Sequence, residues 1–295
     1  MERPDAPLPS SGLTPEALRE TIREEQEWEL LRVLCRSGAL AGDVAPAVQL
    51  DKAQPRGWSA AGTLSKTLSE MLDLYAPLCS RVGERYALAH VGQSIDGFIA
   101  GADETSATLN HRANIVHLHR LRALFDAVLI GGNTARCDNP RLTTRLVAGD
   151  NPVRVIVDLR LRCDPELRVF QDGLAPTLLV AASDAPNRSY PAHVQRVSLH
   201  NECARATLRE VLDSLAAQGL PRVFIEGGGR TVSKALEERV IQRLHVAIAP
   251  LIIGDGVPGI RLPELRRFSD ALRPSCRTFE MGTDVLFDFD LSSIA

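Results

Sequence analysis

Little in this 295-residue sequence is extreme, and what is scarce narrows its work. Aromatic residues make up 4% of the chain, too few for a surface that grips nucleic acid by stacking bases. The net charge is only -3, so no global field draws polyanions and any anion site has to be assembled locally. The six cysteines, Cys35, Cys79, Cys137, Cys163, Cys203 and Cys276, are scattered. No CxxC pair and no Cys/His spacing suited to zinc occurs, so no metal is expected. No signal-peptide pattern and no apolar run of transmembrane length is present. The expectation is a cytoplasmic protein with no membrane or nucleic-acid partner, its thiols reduced and serving as small buried hydrophobes.

What is there falls into two regions. Residues 1–80 read as a mostly helical extension of unassigned role, with the Pro- and Ser-rich stretch 1–13 disordered. In TPEALRETIREEQEWELLRVLCRSG, Thr14 is the expected N-cap, Pro15 the first helical residue and Gly38 the stop. Leu18, Ile22, Trp28, Leu31, Val33 and Leu34 are its apolar positions, gathered into a stripe only in the second half. LSKTLSEMLDLYAPLCS reads as a second helix. From 81 to 295 the pattern turns regular. YALAHVGQ, DAVLIGG, VRVIVD, TLLVAA, RVFIEGG and RLHVAIAPLII read as strands, and NHRANIVHLHRLRALF, ATLREVLDSLAAQG and TVSKALEERV as helices. CRTFEMGTDVLFDFDL reads as a hairpin. That order predicts an α/β domain with a mixed, mostly parallel central sheet flanked by helices and closed by a C-terminal antiparallel hairpin.

Two stretches carry chemistry. In RVFIEGGGRTVSKAL an apolar run leads to Glu226, then Gly227, Gly228 and Gly229, with a helix expected from about Thr231. Glycines at a strand-to-helix bend let the backbone approach a ligand, and the helix N-terminus offers unpaired N–H groups suited to a diphosphate. Arg230 adds an ionic contact for a phosphate. The stretch is neither GxGxxG nor GK[ST], and a tight turn without a ligand would also use glycines. Glu226 sits at the C-terminal end of a strand, where open α/β sheets place their ligands, and is a candidate anchor for substrate.

DAVLIGGNTARCDNPRLTTR leaves a buried strand and at once gathers polar and cationic groups. Read as a loop over 133–145, it overhangs the same sheet edge. Thr134 and Asp138 then face hydroxyls or amides, Arg145 a phosphate, and Pro140 keeps Asn139 extended. A solvated loop accounts for the same residues. Ser94 and Asp96 in VGQSIDGFIAG read as turn chemistry. On the helix that follows, His111, Ile115, Leu118, Arg122 and Phe125 share a face, with Arg122 snorkelling or reaching a bound phosphate. His117 and His119, two apart, make a poor metal pair.

Taken in order, QSIDGFIA, HRLRALFDAVLIGGNTARCDNPRLTTR, NPVRVIVD, FIEGGGRTVSKAL and APLIIG resemble the reductase domain of bifunctional riboflavin biosynthesis proteins, over roughly residues 84–292. That family has the dihydrofolate-reductase-like fold. Residues 1–80 lie outside the resemblance and lack the HxE and PCxxC signature of the zinc deaminase often fused to it. The resemblance implies reduction of 5-amino-6-(5-phosphoribosylamino)uracil, or a close pyrimidine analogue of a related secondary-metabolite pathway, by NADPH, and a homodimer. It implies that Ser106, Arg122, Leu142 and Arg145 line the ribose-phosphate side and that Glu226 touches substrate. It further implies that Thr108, Thr134, Asp138, Leu159 and the turn from Gly228 to Lys234 hold NADPH. Asp138 is the candidate for steering a proton during opening of the sugar ring. Many members carry Lys at the position of His90, a large residue near Thr108, and Asp at the position of Asn139. A dihydrofolate-type reductase and a non-catalytic nucleotide-binding module are the alternatives.

Overall fold

A computed structural model describes residues 15–40, 47–51, 53–54, 56–80, 83–102, 109–199, 207–264 and 266–294. The disorder expected at 1–13, the Thr14 cap, and the candidates Ser106, Thr108 and Cys203 fall outside them. The chain divides into two compact units, one of Arg3–Glu84 with Arg145–Asp150, the other holding Arg85–Thr144 and Asn151–Ala295.

The first unit holds helix α1 (Pro15–Ser37), strands β1 (Ala39–Leu40), β2 (Val48–Leu50) and β3 (Trp58–Ala60), and helix α2 (Lys66–Cys79). Gly38 stops α1 as expected, in a left-handed conformation (φ 78°) that suits glycine. Ser65 caps α2 by accepting from the Leu68 amide. Trp28, Leu31 and Leu34 are buried, and Trp28 meets Tyr75 edge-on at 5.7 Å between ring centres. Val33 is exposed, so the apolar stripe of the second half is narrower than expected, while the exposed Ile22 lies in the first half, where no stripe is expected. The three strands form an antiparallel sheet too short to leave a readable alternation.

One expectation is overturned here. Cys35 and Cys79 form a disulfide between α1 and α2, so they are not reduced thiols. Cys137 and Cys276 are exposed, which leaves only Cys163 of the remaining described cysteines as a small buried hydrophobe. Spacing could not reveal the pair, since the contact depends on how two helices pack. The bridge closes a separation of 44 residues, for which chain entropy gives about 4 kcal/mol. Cys35→Ser/Cys79→Ser is expected to unfold this unit at lower urea. Unchanged midpoints in the variant and in reduced wild type would count against that contribution.

The second unit is built on nine strands: β4 (Tyr86–Ser94), β6 (Ala127–Gly131), β7 (Val153–Val157), β8 (Thr177–Ala182), β9 (Val194–Leu199), β10 (Arg222–Glu226), β11 (Arg243–Ala249), β13 (Ser275–Met281) and β14 (Asp284–Asp290). Their order is β13-β14-β11-β4-β10-β6-β7-β8-β9. All neighbours from β11 to β9 pair in parallel, and β14 and β13 add the expected antiparallel edge. Helices α3 (Arg112–Leu124), α4 (Gly132–Asp138), α5 (Arg168–Gln171), α6 (Leu208–Ala217) and α7 (Gly229–Glu237) connect them, and β5 (Phe98–Ala100) pairs with β12 (Val257–Pro258). Ala127, Leu129, Val155, Val223 and Ile225 are all but inaccessible at the centre, as expected of strands covered on both sides. Among the described residues no helix is long and apolar enough to cross a membrane, and no cluster of three or more His, Cys, Asp or Glu is arranged to hold a metal ion.

Candidate active site

The parallel strands β4, β6, β7 and β10 end on one edge, at Ser94, Gly131, Val157 and Glu226. Helix α7 begins at Gly229 with Gly228 as N-cap, two residues earlier than the expected start near Thr231. No side chain caps it. Among the described residues, no backbone acceptor meets the amides of Gly229 and Arg230. These are donors without a backbone partner, as an anion site needs, with Arg230 exposed and Gly229 buried. The third glycine also has an internal reason: a Cβ on Gly229 would lie 1.9 Å from the carbonyl oxygen of Gly259. Gly228 donates its amide to Thr134 Oγ1 at 3.3 Å, which brings two candidate cofactor residues into contact.

Residues 133–138 are not the expected loop. They form most of α4, so Asn133, Thr134 and Asp138 stand on a short helix. Asn139 is not extended; it ends the helix in the left-handed region (φ 43°, ψ 53°), a conformation its short polar side chain tolerates, and its Oδ1 accepts from the Arg168 amide. Leu142 also has positive φ (55°), yet its side chain is buried at 1% exposure. A leucine held there stores about 1–3 kcal/mol of strain.

After β7 the chain turns at Asp158, whose Oδ2 accepts the Cys163 amide at 2.6 Å while Leu161 adopts positive φ and is buried. This tight turn throws Arg160 and Arg162 outward. With Arg136, Arg230 and Leu159 they line a cleft of about 400 Å³ that also contains Asp158. Four arginines against one buried carboxylate leave the lining with an excess of positive charge, which suits a phosphate ester. In the sequence Arg160 and Arg162 are marked only by the alternating LRLR after the strand, and Arg136 by no pattern.

On the other side of β10, Arg122 neither snorkels nor stands open to a ligand. It is 3% exposed and forks onto Glu226, Nε to Oε2 at 2.7 Å and Nη2 to Oε1 at 2.5 Å, with Nη1 donating to the Thr143 carbonyl at 2.9 Å. The expected apolar face of α3 is also displaced: His111 and Ile115 are exposed, while Asn114, His117, His119, Leu121 and Arg122 are buried. Ser94 and Asp96 are turn chemistry, Asp96 accepting from Ser94 Oγ and from the amides of Ile253 and Gly254. Arg145 belongs to the unit that contains the N-terminal helices. The sheet edge thus carries two chemistries, cationic and amide-rich around α7 and β7, carboxylate-bearing at the end of β10.

The profile of the RibD C-terminal domain matches residues 85–283. The chain belongs to this family. A 2,5-diamino-6-ribosylamino-4(3H)-pyrimidinone 5′-phosphate reductase of Methanothermobacter thermautotrophicus is 32% identical over 218 residues, covering 69% of this chain and 97% of that protein. The riboflavin biosynthesis protein RibD of Bacillus amyloliquefaciens is 31% identical over 59% of this chain, which spans about half (48%) of its length. Among solved structures, the Thermotoga maritima deaminase/5-amino-6-(5-phosphoribosylamino)uracil reductase superposes with a TM-score of 0.62 at 23% identity, over 75% of this chain and 61% of that one. The Saccharomyces riboflavin biosynthesis reductase Rib7 gives 0.57 at 18% identity, over 70% and 90%. The fold is therefore that of the dihydrofolate-reductase-like RibD reductases, and the family is one of nicotinamide-dependent reductases.

Proposed function

We propose that this chain reduces the ribosyl group of a ribosylaminopyrimidine 5′-phosphate to a ribityl group, using NADPH. The observation that carries the reading is the pairing at one sheet edge of an uncapped, glycine-rich helix start with an arginine-lined cleft, next to a carboxylate held by a buried arginine. A reduced nicotinamide bound there supplies hydride. The chain's own residues bind and orient: amides of Gly229 and Arg230 take the diphosphate, Thr134 and Leu159 flank it, and Arg160, Arg162, Arg136 and Arg230 select the additional phosphate that distinguishes NADPH from NADH. Glu226 anchors the substrate, and Asp138 steers the proton that accompanies ring opening. Holding two reactants in register provides about 7–11 kcal/mol of the barrier without a covalent intermediate.

Purified protein given NADPH and either the diamino-pyrimidinone or the amino-uracil ribosyl phosphate is expected to oxidise NADPH, and dihydrofolate is not expected to support it. Turnover with dihydrofolate alone would overturn the reading; failure to bind NADPH by nicotinamide fluorescence would favour a non-catalytic module. Arg145, given a phosphate contact by the family resemblance, is tested in the same assay: Arg145→Ala should raise KM for the phosphorylated substrate far more than for its dephosphorylated analogue.

Arg160→Ala/Arg162→Ala is expected to weaken NADPH binding about 10–100-fold, the worth of one or two charge-assisted hydrogen bonds, and to leave NADH binding nearly unchanged. Equal losses for both nucleotides would place the arginines elsewhere. A homodimer is part of the proposal. Leu244, Val246 and Ile248 of β11 and Val285, Phe287 and Phe289 of β14 share one side of the sheet and help line an apolar hollow of about 660 Å³, a surface suited to a second copy. The molar mass in solution tests it.

A further inference from the structure

One row of polar residues crosses five strands of the large sheet. Glu226 on β10 pairs with His90 on β4, His90 with His245 on β11, His245 with Asp288 on β14, and Asp288 with Arg277 on β13. Cross-strand partners project to the same face, and α3 meets that face with a partner at three points. Asn114 Oδ1 lies 3.0 Å from His90 Nε2, His117 Nε2 lies 3.0 Å from His245 Nδ1, and Arg122 forks onto Glu226. His90, His117, His245 and Asp288 are at most 4% exposed. The proposed chemistry uses none of these four, although they occupy the ground between Glu226 and the sheet edge.

The bonding has a direction. Asp288 is held ionised by Arg243, at 2.5 and 2.7 Å, and by Arg277 at 3.0 Å. His245 Nε2 lies 3.3 Å from Asp288 Oδ1, within ion-pair reach but off the line of a good hydrogen bond. The nearby carboxylate favours a proton on that nitrogen, which leaves Nδ1 to accept from His117 Nε2–H. A second proton on His245 would set N–H against N–H and break the link. His90 differs: its Nε2–H donates to Asn114 in either protonation state, and an added proton costs because it puts a charge in a buried place beside His245.

We propose that this row positions Arg122, and through it Glu226, so that the substrate half of the crevice, and not the cofactor half, loosens when a histidine of the row takes up a proton. The proposal rests on the assignment of Glu226 to the substrate. The charged groups around the row act in opposite senses. Arg120 opposes protonation of His117, Arg243 and Arg277 oppose it at His245, and Asp288 favours it at both. His90 is opposed by His245 and favoured by its bond to Asn114. Glu226 and Arg122 largely cancel each other, and His119 stands 3.5 Å from Arg122 Nη1. Burial is the largest cause for all three, and it keeps them neutral.

Two variants of the full chain and one exchange measurement test this. His117→Leu keeps the volume and removes the donor; it is expected to raise KM for the ribosylaminopyrimidine phosphate about tenfold while NADPH affinity stays within about twofold. His117→Gln, whose side-chain amide can donate to His245, should restore KM. Because the row takes up protons only as α3 opens, hydrogen exchange of wild type at about pH 5 compared with about pH 7.5 should show α3 losing protection before α7, and in His117→Leu that difference should shrink. Parallel losses in substrate and cofactor binding, a leucine variant identical to wild type, or α3 and α7 opening together would overturn the proposal. If wild type turns over neither ribosyl phosphate, the functional reading fails, and the exchange pattern alone decides whether the row governs α3.

Discussion

Truncating Glu226 to alanine is expected to destabilise the fold by about 3–5 kcal/mol and to abolish turnover. Arg122 is almost completely buried and gives two of its donors to Glu226, so removal of the carboxylate leaves a buried guanidinium without its counter-charge. The double variant Arg122→Leu/Glu226→Leu behaves differently. Replacing both members of a buried pair with apolar groups is often neutral or stabilising, so most of the stability returns, yet turnover does not. Urea unfolding and NADPH oxidation measured side by side separate the two effects. A double variant that turns over like wild type would show that neither residue works on the substrate.

The parallel sheet was legible because its strands are buried on both faces and read as short apolar runs between helical stretches, YALAHV and AVLIG among them. The closing hairpin was legible from its turn, Gly282 taking positive φ there. Elements with little periodic content were not. Helix α4 has seven residues that include Gly132 and Asn133 and no apolar stripe, and its local composition favours a loop. Strand β9, VQRVSL, shows three exposed positions and belongs to an edge. The small antiparallel sheet and the disulfide of the first unit depend on contacts between segments that sequence spacing does not encode.

The candidate site was legible on the same terms. Glu226, the glycines and Arg230 lie next to one another in the chain, so a local pattern displays them together. The arginine cleft draws on α4, the turn after β7 and the start of α7, and only the sheet order brings those together. Arg122 was singled out as an arginine among apolar neighbours, but its partner lies 104 residues away in sequence. The histidine row is the extreme case. All five of its members are set side by side by strand register alone, and His117, which meets the row from α3, has as its partner not His119 but His245, 128 residues away.

Acidification is expected to destabilise the protein well before its carboxylates titrate. Burial pushes His90 down from 6.5 to about 3, and lowers His117 and His245 as well. A group whose folded pKa is depressed makes no difference to stability above the unfolded value, since neither state binds the proton there. Below 6.5, the unfolded chain takes up protons that the folded chain refuses, so stability falls as pH falls, by about 1.4 kcal/mol per pH unit for each such group. For His90 alone the gap down to about 3 amounts to about 5 kcal/mol when fully expressed. Asp288, held below the usual carboxylate range by His245 and Arg243 against the opposing effect of burial, adds a further loss at still lower pH. Urea unfolding at constant ionic strength between about pH 7.5 and about pH 4.5 should give a midpoint that drops steeply below the histidine range. His90→Asn, which does not titrate, should drop less steeply by one proton. A midpoint that stays flat across that interval would mean that these imidazoles are solvated or already charged in the folded protein.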